Sequence, residues 1–187
     1  MGKREIHFCE KCGHPTKREI PEGDTHERDV CPSCGYIAYI NPINIVGTVP
    51  YLGDKVLLCR RAIEPRLGYW TLPAGHQEVQ ETTREGAERE TEEEAGIHAE
   101  ISSAPYILLD IAHADQLHLM FLARMKDESV NPGPETFEAR LFSEEEIPWD
   151  KLAFNSVEKS LRLFFADLKK GAFGFHYIEK HTPGKFL

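Results

Sequence analysis

Glu90, Glu93 and Glu94 stand at i, i+3 and i+4 within Gly75-His-Gln-Glu-Val-Gln-Glu81-Thr-Thr-Arg-Glu-Gly-Ala-Glu-Arg89-Glu90-Thr-Glu-Glu93-Glu94-Ala-Gly96-Ile97. On a helix this spacing puts three carboxylates on one face. Like charges held so close repel, and a hard divalent cation such as Mg²⁺ or Mn²⁺ removes that penalty because it prefers oxygen ligands. The chemistry open to such a set is metal-assisted hydrolysis, in which the cation neutralises developing charge and lowers the pKa of a bound water. Arg89 precedes Glu93 by four residues and can orient carboxylates, Glu81 among them, through paired hydrogen bonds. The bland alternative for a generic charge run is a solvated acidic helix.

A second set is made of sulfur. Cys9-Glu-Lys-Cys12-Gly13 and Cys31-Pro-Ser-Cys34-Gly35 form two C-x-x-C-G knuckles, a spacing that lets four thiolates converge on Zn²⁺. Four protein ligands leave no open coordination position, so this zinc is expected to fold its segment rather than to catalyse. Disulfides are the competing reading, disfavoured because no export signal is visible and the fifth cysteine, Cys59, has no counterpart. Cys59 lies in an apolar strand pattern and reads as a small buried hydrophobe.

Elements must hold both sets in place. A helix is expected from about Thr82 to Ala95, with Thr82 and Glu85 as a capping box and Gly96 ending it in a left-handed conformation. Ala87, Thr91 and Ala95 form its less polar stripe, which should pack on a sheet. Ile43 to Tyr51 and Lys55 to Arg61 read as a hairpin around Gly53-Asp54. Pro105 to Ala112 and Gln116 to Met125 read as a second hairpin, Glu138 to Phe142 as a strand, and Ser156 to Lys170 as a second helix. Residues 3 to 38 show little periodicity except near Tyr36 to Ile40. The expected organisation is a small metal-held segment at 1–39 followed by an α/β domain at 40–187 with a mixed or largely antiparallel sheet.

Bulk properties narrow the partners. A net charge of −9 argues against a general nucleic-acid binder, because backbone binding depends on Lys and Arg neutralising phosphates. No apolar run approaches the roughly 18 residues of a membrane span, and the N-terminal residues lack a secretory apolar stretch, so a cytoplasmic location is expected. A small anionic substrate remains compatible when metal ions screen the repulsion.

The run from Gly75 to Ile97 resembles the Nudix box, G-x5-E-x7-R-E-U-x-E-E-x-G-U with U a bulky aliphatic residue, at Gly75, Glu81, Arg89, Glu90, Glu93, Glu94, Gly96 and Ile97. It departs at Thr91, where the family usually has an aliphatic residue, and at Gln80, where a glycine often precedes the glutamate. Neither departure removes a carboxylate. The resemblance implies an α/β/α sandwich with a mixed sheet, preceded by a small zinc ribbon, and hydrolysis of a nucleotide diphosphate with catalytic Mg²⁺ or Mn²⁺. By position it makes Glu90 and Glu94 the main metal ligands, Glu93 an additional ligand or base, and the Ala74 carbonyl a further ligand. A further glutamate is expected from a later segment, Glu138 first and Glu135 second.

A zinc ribbon before such a domain is similar to the NADH pyrophosphatases, but their S-Q-P-W-P-F-P-x-S element is missing after Ile97. Cys31-Pro-Ser-Cys-Gly-Tyr-Ile-Ala-Tyr-Ile-Asn-Pro42, Trp70-Thr-Leu-Pro-Ala-Gly75, Pro132-Gly-Pro-Glu135 and Phe175-His-Tyr177 look instead like the plant chloroplast FAD diphosphatases and their bacterial relatives. That likeness implies FAD or ADP-ribose as substrate. NADH cleavage, nucleoside triphosphate sanitation and a non-catalytic nucleotide sensor stay open as other functions.

Arg60 and Arg61 alternate along a strand, so at most one faces a site; that one is a candidate phosphate contact. Trp70 and Trp149 are expected as core or edge aromatics. His113 and His118 flank a hairpin turn and read as turn or surface residues. Phe173 to Leu187 reads either as an arm crossing to a second copy in a homodimer or as a disordered tail.

Overall fold

The computed structural model describes residues 4–184 and 186. It divides after Pro42 into two compact units.

The first unit is a three-stranded antiparallel sheet of β1 (Lys17–Glu19), β2 (Arg28–Val30) and β3 (Ile37–Ala38), in the order β1-β2-β3. Strands of two or three residues are too short to show a period, which is why only the region of β3 was legible in the sequence. Its buried side chains are few: Cys9, Cys31, Ala38 and Asp29. Asp29 accepts from the Ile6 N–H at 2.9 Å and from Arg18 Nη1 at 3.1 Å, tying the N-terminal stretch to the sheet.

The second unit is an α/β/α sandwich on a nine-stranded mixed sheet. Its strands are β4 (Ile43–Leu52), β5 (Lys55–Arg61), β6 (Trp70–Thr71), β7 (Ala74–His76), β8 (Ala99–Ile101), β9 (Ile107–Ile111), β10 (Gln116–Met125), β11 (Thr136–Phe142) and β12 (His176–Glu179). The main path runs β11-β5-β4-β10-β9-β12, with β6 on β5, β7 on β4 and β8 on β10. β4 pairs with β10 and β9 with β12 in parallel; the other pairings are antiparallel. Helix α1 (Thr83–Ala95) covers one face and α2 (Asn155–Lys170) the other.

Alternation along the strands feeds both layers. On β5, Val56 and Leu58 join the α2-side core with Leu161, Phe164 and Phe165, while Leu57 and Cys59 face the opposite layer with Ala95 and Ile97. Cys59 is 1% exposed, as expected for a buried hydrophobe. Trp70 is buried edge-on against Phe142, and Trp149 packs at the margin under Arg162.

The C-terminal segment differs from both sequence expectations over its described residues. It folds back on its own domain: β12 extends the sheet beside β9, and Phe173 contacts Tyr51, Tyr106 and Phe164. Asp167 secures the turn before β12. It accepts from His176 Nε2 at 2.7 Å, the Tyr106 hydroxyl at 3.1 Å and the Gly174 N–H at 3.3 Å. These non-local partners left no periodic trace in the sequence.

Candidate functional site

The carboxylates owe their positions to how α1 begins and ends. Thr82 accepts from the Glu85 N–H, and Glu85 reaches back to the Thr82 N–H at 2.7 Å, completing the capping box. Gly96 takes the left-handed conformation (φ 63°) and donates to the Glu92 carbonyl. Two more terminal carbonyls are satisfied from the loop after β10: the Asn131 N–H donates to Ala95 O and the Gly133 N–H to Glu93 O, both at 3.1 Å. These bonds absorb acceptors that a helix end would otherwise leave unpaired. They also bring the next residues of that loop to the site.

The buried side of α1 carries Gly86, Ala87, Thr91 and Ala95. Thr91 explains itself in the fold: its hydroxyl donates to Ala87 O and lies 2.7 Å from the Thr48 hydroxyl on β4. Both threonines are buried, so the polar group that replaces an aliphatic residue finds a polar partner on the facing strand. Gln80 adopts φ 70°, the conformation glycine takes without penalty, which accounts for the glycine often found there.

Arg89 is the hub of the charged side. It holds Glu81 through Nε at 3.1 Å and Nη2 at 2.9 Å, Glu90 at 2.8 Å and Glu93 at 3.1 Å, and donates to the His76 carbonyl at 3.0 Å. The bidentate grip of Arg89 and the Glu78 N–H lower the Glu81 carboxyl to about 2. Glu81 is therefore a brace for the loop before α1. Glu94 accepts from the Ala74 N–H at 3.1 Å, and burial pushes its carboxyl up to about 7. Burial also raises Glu90, against the pull of Arg89. A Cβ at Gly75 would overlap the Glu90 carboxylate, so glycine there lets that side chain lie against the β7 backbone.

Glu90, Glu93, Glu94, Ala74 and Arg61 share the wall of one cavity of about 1040 Å³. One expectation, Glu138, needs correcting, and the choice left open between Arg60 and Arg61 falls to Arg61. Arg60 and Glu138 are cross-strand partners on β5 and β11, ion-paired at 3.3 Å, with Arg60 also over the Phe137 ring. Strand alternation turns both away from the cavity that Arg61 lines. The later carboxylate that does line it is Glu135, whose carbonyl accepts from the Ala62 N–H at 2.8 Å. The Pro132-Gly-Pro-Glu135 segment was the available signal, since its turn residues mark a loop and its glycine meets the end of α1. A third reading also changes. His118 is a half-buried residue of β10 that lines the cavity, on the same face as buried Met120.

Oxygen donors of this kind suit Mg²⁺ or Mn²⁺, and Mg²⁺ commonly takes only one or two carboxylates and completes its shell with water and phosphate oxygens. Glu90 and Glu94, both drawn up by burial and facing one cavity, fit that demand.

In the first unit the four sulfurs of Cys9, Cys12, Cys31 and Cys34 lie within 4.8 Å of one another. The separations Cys9–Cys34 at 3.7 Å, Cys12–Cys31 at 3.5 Å and Cys12–Cys34 at 3.5 Å are far from a disulfide bond. A tetrahedron with Zn–S near 2.3 Å has edges of about 3.8 Å, so the set fits zinc. Both knuckles repeat one geometry. Gly13 donates to Cys9 O at 2.8 Å and Gly35 to Cys31 O at 2.9 Å, with φ 71° and 72°.

An α/β/α sandwich that directs a glutamate-rich loop, helix and loop into a cavity, preceded in the chain by a separate four-cysteine ribbon, defines a two-part metal-using architecture. The chain belongs to the Nudix family: residues 42–164 match the NUDIX domain, and residues 7–40 match the zinc ribbon described as Nudix N-terminal. A NUDIX hydrolase structure from Nitrosomonas europaea is 44% identical, with a TM-score of 0.86 covering 94% of this chain and 100% of that one. NAD-capped RNA hydrolase NudC of Haemophilus influenzae is 38% identical over 94 residues, 48% of this chain and 33% of that protein. The ADP-ribose pyrophosphatase of Methanocaldococcus jannaschii is 28% identical over 123 residues, 64% of this chain and 72% of that protein. The chain spans a quarter of the length of mouse NAD(P)H pyrophosphatase NUDT13 and a third of NudC.

Proposed function

We propose that this chain hydrolyses the diphosphate linkage of a nucleoside diphosphate derivative, with FAD and ADP-ribose as the leading substrates and AMP as a product. The observation that carries the reading is the convergence of Glu90, Glu93, Glu94, Glu135 and Arg61 on one cavity of about 1040 Å³. That volume is at the upper end of small-molecule sites, suiting a dinucleotide-sized ligand.

Glu90 and Glu94 hold Mg²⁺ or Mn²⁺, which when bound neutralises the diphosphate and makes water a better nucleophile. Arg61 offers its guanidinium to a phosphate oxygen. Arg89 keeps Glu90 and Glu93 in register by hydrogen bonds to both. Of the cavity's other carboxylates, Glu93 comes from the same helix as the metal pair and Glu135 from the loop that meets its end, and one of them takes the proton of the attacking water. The Cys9, Cys12, Cys31 and Cys34 ribbon holds Zn²⁺ for structure.

The test is AMP release from FAD and ADP-ribose by purified protein with Mg²⁺. Glu94→Gln should lower kcat on the order of 100-fold or more, the scale for losing one group that stabilises the transition state. Equal rates for Glu94→Gln and the parent, or no AMP from either compound, would overturn the reading. The similarity to the NAD(P)H pyrophosphatase NUDT13 supports a second substrate, NADH, against which the missing S-Q-P-W-P-F-P-x-S element counts. Including NADH in the same assay separates the two.

A further inference from the structure

The cavity wall also takes in a lobe of residues from β9, β10 and the first turn of α2, among them the buried Leu109, Ile111 and Met120. Within that lobe Gln116 and His118, two residues apart on one face of β10, are hydrogen-bonded, Nε2 to Oε1, at 3.0 Å. Burial lowers the His118 ring to about 4, so it is a neutral imidazole at physiological pH. A neutral imidazole that donates from Nε2 keeps Nδ1 as an acceptor, and a glutamine that accepts through Oε1 keeps its NH₂ as a donor. The uncharged acceptor and donor of this pair, set beside Leu109, Ile111 and Met120, suit a flat, uncharged heterocycle.

We propose that this lobe takes the nucleobase of the substrate and that the His118–Gln116 pair selects a base bearing an exocyclic amino group, adenine rather than hypoxanthine. The assignment rests on the hydrolase reading above for the identity of the ligand. An adenine amino group donates to His118 Nδ1, while Gln116 supplies its amide protons to a ring nitrogen or neighbouring oxygen. Hypoxanthine carries a carbonyl at the same position and sets two acceptors against each other. Sites that recognise a polar group by a hydrogen bond discriminate strongly because the mismatched partner leaves buried groups unpaired.

The experiment compares kcat/KM for ADP-ribose with that for its hypoxanthine counterpart, inosine diphosphate ribose, under Mg²⁺. The parent protein should favour ADP-ribose about tenfold or more, a modest share of what such recognition can reach. His118→Leu and Gln116→Leu should each bring the ratio to within about twofold, with the loss falling more on KM than on kcat. Thermal melting of each variant identifies a folding defect, and the other variant then carries the test. A parent that cleaves both compounds equally, or selectivity that survives in both folded variants, would overturn the proposal. If no diphosphate is cleaved at all, the hydrolase reading fails by itself. Calorimetric binding of the same two compounds then decides the base preference: a tighter ADP-ribose complex supports it and equal affinities overturn it.

Discussion

In the ribbon, four sulfurs come from two short knuckles whose internal hydrogen bonds repeat, with little buried apolar surface around them. In the larger domain, the carboxylates come from one helix and a later loop, and they are held by Arg89, the Ala74 N–H and two layers of packed side chains. The first site organises its surroundings; the second is organised by them. A metal bound by four thiolates can supply most of the folding free energy of a small unit. Helix α1 and the loop before it, which together carry eight glutamates from Glu78 to Glu94, have no such internal source and rely on the sheet.

The sharpest way to break this comparison is to remove one sulfur. Cys31→Ser should abolish stoichiometric zinc and collapse amide protection across residues 4–42, because structural zinc contributes on the order of 10 kcal/mol in small units. The melting transition of the larger domain should shift by no more than a few degrees. Metal analysis with hydrogen exchange by mass spectrometry reads both, and retained protection without zinc would show that the ribbon has a sufficient core.

The next effect belongs to the packed domain. Asp167→Asn should cost about 2 kcal/mol at pH 7, the scale for hydrogen bonds to a buried charged group. Burial pushes the Asp167 carboxyl up, but His176, the Gly174 N–H and Tyr106 outweigh it and hold it below 3.8. A depressed carboxylate stabilises the fold above its unfolded pKa and loses that contribution as pH falls through the folded value. The difference between parent and variant should therefore persist near pH 5 and close below pH 3.8 in urea unfolding. A gap independent of pH would remove ionisation from the explanation.

A smaller effect tests the Thr48–Thr91 contact. Thr91→Val leaves the Thr48 hydroxyl without its buried partner and should cost about 1–2 kcal/mol, whereas Thr48→Val with Thr91→Val should recover most of that loss. Additive losses in the double variant would mean that the two hydroxyls act independently. Smallest of all, Gln80→Gly should stabilise by less than about 1 kcal/mol, since relief of the left-handed conformation is offset by greater chain entropy. A clear destabilisation would show that the Gln80 side chain supports the loop.

Much of this was legible in the residues themselves. The i, i+3, i+4 carboxylates, the Thr82–Glu85 cap, the Gly96 stop and the paired knuckles depend on interactions within a few positions, so local spacing sufficed to place them. What depended on distant pairing was not legible. Bulge and register on β11 send Glu138 to Arg60 and leave Glu135 at the cavity, and parallel pairing with β9 brings β12 back onto its own sheet. His118 shows the same limit, because a histidine near a turn becomes a cavity wall only when β9, β10 and α2 enclose it. Sequence by itself determined the donors, their spacing and thus the class of chemistry. Tertiary structure alone decided which charged side chains share a cavity, because a one-residue change of strand face outweighs any local preference for where a carboxylate points.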